Sequence, residues 1–297
     1  MTENKNISNL QKYMPAIVLL TLSILTKSFV KEWQFMWIFA YSIFLACKWI
    51  TLVDALNNTP NVSKLRAVLY IFGWVGMDAK RFLTDNNKLE VQNKLWLETI
   101  SKILIGLLLV YVITEKVYLK NHILGGWVGL AGLGLIIHFG SFHLLALIWN
   151  KFGVNAKPII NSPLYSVSLT DFWSNRWNLA YRDLSRNYIL RPLAPKIGVG
   201  YATIIVFVLS GLIHELVISF PANGGYGLPT LYFIIQTIGV FIERSRFGKM
   251  LGLENSLRGR ILALTVVFAP IYLLFHKTFI ENVIIPFLHQ ISSIGGV

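Results

Sequence analysis

The chain is short of charge. Of its 297 residues only 14% are Asp, Glu, Lys or Arg, against about 25% in ordinary soluble domains. With 55% hydrophobic residues and a mean hydropathy of +0.58, the scarcity excludes a water-soluble globule, whose core could not absorb so many long apolar runs. Cysteine is nearly absent as well. Cys47 stands alone, so no intrachain disulfide and no cysteine-based metal site can form. Acidic residues number 14 against 27 basic ones, a net charge of +13. In a soluble protein that excess would point to nucleic acid. Here no basic helix or aromatic platform stands apart from the apolar runs, so no nucleic-acid partner is expected. The basic residues read as loop residues facing anionic lipid headgroups on the cytosolic side. Internal repeats and low-complexity segments are lacking too.

What is present is a series of apolar runs. A membrane-crossing helix needs about 20 mostly apolar residues, within roughly 17–25. Seven runs are candidates, with soft ends: Tyr13 to Phe29, Trp33 to Val53, Thr99 to Thr114, Ile123 to Trp149, Gly200 to Phe220, Gly227 to Phe241 and Ile261 to Phe279. Leu65 to Met77 is apolar but short, and reads as a re-entrant, interfacial or tilted piece. The expected fold is an all-α integral membrane protein, a polytopic bundle of about seven or eight transmembrane helices with re-entrant or amphipathic pieces. The chain reads as one membrane-embedded domain over 1–297, with a polar loop at about 150–198 and a helical hairpin at about 200–243. Lys5 and Lys12 precede the apolar run Met14 to Leu25, and no small-residue cleavage site follows, so a retained first helix is expected. The run Ile123 to Trp149 is rich in glycine, which suits close helix packing in lipid. Lys48 reads as a side chain that reaches back to the interface. Ser292 to Val297 reads as a loose tail.

Orientation follows the Lys/Arg asymmetry. The turn Pro221 to Tyr226 carries no charge, whereas the flanking loops hold Lys151, Lys157, Arg176, Arg182, Arg186, Arg191 and Lys196, then Arg244, Arg246, Lys249, Arg258 and Arg260. Both loops should be cytosolic, together with Asp78 to Glu98 and its Lys80, Arg81, Lys88 and Lys94. Lys5 and Lys12 favour a cytosolic start, which holds only if Leu65 to Met77 does not cross.

Two stretches carry chemistry. His214 and Glu215 lie in the apolar run before the uncharged turn, and ionisable groups in a membrane helix are functional-site candidates by default. The second stretch, SLTDFWSNRWNLAYRDLSRNYILRP, starts at Ser168. Read as a helix from about Thr170, capped by Thr170 or Asp171 and ended by Pro192, it places Trp173, Trp177, Tyr181, Leu184 and Tyr188 on one face. Ser174, Asn178, Arg182 and Ser185 line a neighbouring face. An interfacial amphipathic helix would look the same. Asn178, an amide that can donate and accept beside a basic cluster suited to phosphates, favours a functional loop.

Together DFWSNRWN (Asp171 to Asn178) and SGLIHELVIS (Ser210 to Ser219) resemble the membrane-bound O-acyltransferase (MBOAT) superfamily, and within it the wax synthase-like branch. FGWVGMD at Phe72 to Asp78, HFGSFHLL at His138 to Leu145 and GGYGLPTLYFIIQ at Gly224 to Gln236 are weaker echoes. The resemblance implies transfer of an acyl group from acyl-CoA, a co-substrate rather than a cofactor, to the hydroxyl of a lipophilic acceptor, with a long-chain alcohol favoured. It puts His214 in the catalytic histidine position and Asn178 in that of the loop asparagine. Trp173 and Trp177 would lie along the acyl-CoA path, Glu215 would be the acidic neighbour, and Gln236 a polar group on the facing helix. Arg176 and Arg182 would face the CoA phosphates.

The chemistry is consistent on its own terms. A neutral imidazole can accept a hydroxyl proton, an apolar surround excludes water from a thioester, and an amide such as Asn178 can donate to an oxyanion. Ser210 lies one turn before His214 and could orient its ring. Glu215 is about 100° round the helix from His214, so pairing with a base elsewhere or orienting the helix suits it better than touching the same substrate atom. His138 and His143, five apart, make a poor metal pair, and no metal is expected. A Gly-x-Ser-x-Gly nucleophile motif is lacking, so no covalent acyl-enzyme is expected. A proton-coupled transporter using His214 and Glu215 is the alternative of another class, although no inverted repeat or broken helix pair accompanies it; a non-catalytic scaffold with the same fold is another. Membrane lipids are the remaining expected partner, and oligomeric state is open. The shortness of the chain leans toward a bacterial inner membrane.

Overall fold

A computed structural model describes residues 7–86 and 92–292. Lys5, Lys88 and the tail residues 293–297, which entered the sequence reading, lie outside the described residues. Among the described residues all regular structure is helical. Five helices are long and apolar enough to cross a membrane: Glu32–Asn57, Asn93–Tyr118, His122–Lys151, Leu179–Ala222 and Leu257–Leu274. Asn9–Leu25 and Leu228–Arg244, at 17 residues each, are about 26 Å long, a little under the ~30 Å hydrocarbon core. Both coincide with predicted runs. Lys64–Gly73 has 10 residues, about 15 Å, and is too short to cross. The predicted run Ile261 to Phe279 is interrupted. Its helix ends at Leu274, and His276 opens a new one by accepting the Phe279 N–H on Nδ1 at 3.2 Å.

Side-chain ties fix which ends lie together. The Lys12 ammonium is 2.6 Å from the Asp54 carboxylate, which also accepts from the Tyr188 hydroxyl. The start of the first helix, the end of Glu32–Asn57 and the polar loop therefore share one side. At the opposite end Lys27 donates to the Phe220 carbonyl at 2.9 Å, beside the uncharged turn. The glycine-rich helix packs as tightly as its composition predicts: a Cβ on Gly132 would sit 2.8 Å from Val110 and 3.0 Å from the Gly106 carbonyl.

Lys48 does not reach the interface. It is fully buried, donating to the Gly76 carbonyl at 2.8 Å with its ammonium 3.1 Å from the Tyr70 ring centroid. A carbonyl and an aromatic face take the place of water, and the contact ties the FGWVGMD segment to Glu32–Asn57.

The polar loop is not one helix from Thr170 to Pro192. A first short helical stretch over residues 169–176 ends at Trp177, which is extended, and Asn178 turns left-handed at φ 42°. Asn tolerates that conformation better than most residues. The Asn178 Oδ1 then accepts the Tyr181 N–H at 3.1 Å and starts a second helix. That helix runs through Pro192 and reaches Ala222, with a kink at Gly198, where φ is +84°. A wide π turn over Arg186–Leu190 comes just before Pro192. It supplies the local irregularity in the hydrogen-bond ladder that a missing proline N–H requires.

Candidate active site

The histidine helix ends its regular part at His214 and continues through a π turn, Glu215–Ser219. Its neighbour is Leu228–Arg244. Gly211 allows the approach, since a Cβ there would lie 2.9 Å from the Thr230 Cα. The His214 ring packs on Phe233 at a centroid distance of 4.6 Å. Its Nδ1 is 2.6 Å from the Ser210 carbonyl. A carbonyl can only accept, so Nδ1 carries a proton, and in the neutral ring Nε2 is left with the lone pair. Among the described residues Nε2 has no protein hydrogen-bond partner. Ser210 thus orients the ring through its backbone, not through its hydroxyl.

Glu215 departs from one of its expected roles. Among the described residues it pairs with no base; Oε1 accepts from the Gly227 N–H (3.1 Å), the Thr230 N–H (3.0 Å) and the Thr230 hydroxyl (2.9 Å). It caps the start of the facing helix, where orphan N–H groups and the helix dipole favour an anion. The far end of the facing helix mirrors this. Buried Glu243 accepts the Leu169 N–H and, at 3.1 Å, the Thr170 N–H, while Arg244 donates to the Thr170 hydroxyl at 3.1 Å. One helix therefore holds the histidine segment at its start and the DFWSNRWN segment at its end. Glu243 escaped the sequence reading, because an acid at the end of an apolar run looks like an ordinary boundary residue.

A file of rings links the two motifs. Phe233 touches Trp173 at 5.9 Å, Trp173 touches Phe172 at 5.0 Å, and Phe172 stacks on Trp177 at 5.8 Å. Phe207 closes on Trp173 at 5.7 Å, nearly perpendicular. The Trp173 indole N–H is buried and has no hydrogen-bond partner. Asn178 is exposed, and no contact among the described residues joins it to His214. Tyr181 connects them: its N–H is held by Asn178, its hydroxyl donates to the Val206 carbonyl at 3.1 Å, and it lies within reach of the Ser210 side chain. Tyr181 stood in the aromatic face read from the sequence, without this role.

The remaining candidates lie in other contacts. Gln236 is fully buried, its amide donating to the Val266 carbonyl at 2.7 Å, with Oε1 unpartnered. Arg176 pairs with Asp171 at 2.5 Å and donates to the Ser162 carbonyl, while Arg182 pairs with Asp183 at 2.9 Å. Burial alone would raise the Asp171 carboxyl, but hydrogen bonds from Arg176, Asn175 and the Val167 N–H outweigh it and hold it below the usual range. His138 packs edge-on against Phe142 at 5.4 Å. Among the described residues no three His, Cys, Asp or Glu side chains gather where they could hold a metal ion.

The fold and this arrangement define a helical integral membrane protein whose intramembrane His-Glu pair sets its imidazole against a file of aromatic rings. Residues 156–235, which span the loop motif, the histidine and most of the facing helix, match the Membrane bound O-acyl transferase family. The chain is 34% identical over 79 residues to probable long-chain-alcohol O-fatty-acyltransferase 1 of Arabidopsis thaliana, covering 24% of this chain and 23% of that one. It is 28% identical over 152 residues to probable long-chain-alcohol O-fatty-acyltransferase 9 of the same plant, covering 47% and 45%. It is 27% identical over 158 residues to the plant's acyl-CoA–sterol O-acyltransferase 1, covering 47% and 44%. The matches thus span from under a quarter to under half the length of these relatives. The chain is thus similar to the Membrane bound O-acyl transferase family over residues 156–235, and to plant proteins named as long-chain-alcohol and sterol O-acyltransferases over at most 47% of its length.

Proposed function

We propose that the protein moves an acyl group from acyl-CoA to the hydroxyl of a lipophilic acceptor, a long-chain alcohol first among them, with His214 as general base. The observation that carries the reading is the 2.6 Å contact of His214 Nδ1 with the Ser210 carbonyl, which in the neutral ring leaves Nε2 as the proton acceptor. Acyl-CoA enters from the cytosolic side, its phosphates against the basic residues around the motif loop, and the alcohol arrives laterally from lipid. The alcohol proton passes to Nε2 while its oxygen attacks the thioester carbon. The tetrahedral oxyanion collapses, the C–S bond breaks, and the imidazolium returns the proton to the CoA thiolate. General-base assistance of this kind accounts for about 10²–10⁴ in rate. Asn178 acts through Tyr181, holding the hydroxyl that meets the histidine helix at Val206, two turns before His214. The names of the matched relatives and the position of the match across both motifs support the acyl-transfer class.

The test is purified protein with palmitoyl-CoA and hexadecanol, followed by mass spectrometry for the ester and by release of free CoA. His214→Ala should lower turnover at least about 10²-fold while the protein still inserts and elutes as a single species. Turnover equal to wild type would remove the assignment. Membrane flux without CoA release would favour the transporter reading instead. We propose the bacterial inner membrane as the compartment, to be checked by fractionating expressing cells.

A further inference from the structure

Buried polar groups without partners are uncommon, and each one needs a reason. Leaving one unmade costs about 1–3 kcal/mol. Trp173 holds such a group. Its indole N–H is buried and unpartnered, on the π turn Phe172–Arg176, and π turns recur at functional sites. Phe233 touches both the Trp173 ring and the His214 ring, at 5.9 and 4.6 Å. Of the two rings that share this phenyl contact, His214 keeps an Nε2 without a protein partner among the described residues, and Trp173 keeps a donor without an acceptor.

Transfer to an ester needs that pair of functions. The attacking hydroxyl needs an acceptor, and the thioester oxygen, as it becomes an oxyanion, needs a donor. We propose that the Trp173 Nε1–H is the oxyanion donor for the acyl carbonyl, beside the Phe233 ring that Trp173 and His214 both touch. This rests on the acyl-transfer reading above and adds a catalytic residue to it. An N–H pointed at the face of Phe207, whose ring is perpendicular to the indole, is the competing explanation. Such contacts are second-order in energy and would support packing, not turnover.

The experiment compares wild type, Trp173→Phe, Trp173→His and His214→Ala with palmitoyl-CoA and hexadecanol. Trp173→Phe keeps an aromatic ring and removes the donor, so kcat should fall about 10²–10³-fold with the KM for palmitoyl-CoA changed little. Trp173→His restores a ring N–H and should recover part of the loss. A kcat within threefold of wild type for Trp173→Phe, with His214→Ala inactive, overturns the donor and leaves the acyl-transfer reading intact. Activity in His214→Ala overturns that reading instead. If the Trp173 variants do not fold, the wild type alone decides the matter. Infrared spectra of bound palmitoyl-CoA labelled with ¹³C at the carbonyl should show a lowered C=O stretch relative to the free thioester, and an unshifted band overturns the donor.

Discussion

Asn178 illustrates how one residue can hold several properties at once. Its left-handed backbone, its Oδ1 cap on Tyr181 and its exposed position make it a joint between two helices. Asp at this position can keep the cap, because a carboxylate accepts the same N–H. Asn178→Asp should therefore retain most of the activity, whereas Asn178→Ala should lose the cap, about 1 kcal/mol, and with it the setting of Tyr181. Rates of ester formation for the two variants decide the point. Equal inactivity would mean that the amide N–H₂ group itself meets substrate. At this scale the sequence was partly legible. His214 stood out as a candidate by being ionisable in an apolar run, and Asn178 by its motif. The contacts of Glu215, Gln236 and Arg176 were not legible, because their partners Thr230, Val266 and Asp171 are selected by packing and loop geometry that no local pattern encodes.

Among the helices, the contact between the histidine helix and its neighbour is the most exacting. Gly→Ala inside a helix ordinarily gains up to about 1 kcal/mol in propensity. At Gly211 the new methyl would press on the Thr230 backbone, and overpacking costs about 1–3 kcal/mol, so the balance turns against it. Gly211→Ala should lower the melting temperature in detergent and reduce turnover together. Gly134→Ala, where nothing lies within 4 Å, should leave both unchanged or raise the melting temperature. Parity of the two variants would contradict the close approach. Whole spans were readable from hydropathy: Ile123 to Trp149 was expected, and His122–Lys151 is found. The break at Trp177 and Asn178 and the one at Phe275 and His276 were not, because each is marked by a local side-chain cap, Asn178 on Tyr181 and His276 on Phe279, rather than by a change in apolarity.

For the molecule as a whole, the ties at Asp54 and Phe220 put the motif loop and the uncharged turn at opposite ends. The single cysteine makes this testable. In a Cys47→Ala background, Asn223→Cys on the turn should react with a membrane-impermeant maleimide on intact cells. Asn187→Cys, exposed near the motif loop, should react only after permeabilisation. Labelling of both from the same side would refute the arrangement. The positive-inside pattern supplied the direction of the bundle; the inner ties required coordinates.

The helix Leu228–Arg244 is anchored by a carboxylate at either end, Glu215 against its first N–H groups and its own Glu243 against the DFWSNRWN segment. It behaves as a spacer of set length, a gauge for the separation between imidazole and indole. One inserted residue would rotate one anchor by about 100° relative to the other, and the histidine segment and the DFWSNRWN segment would no longer meet the same face of this helix.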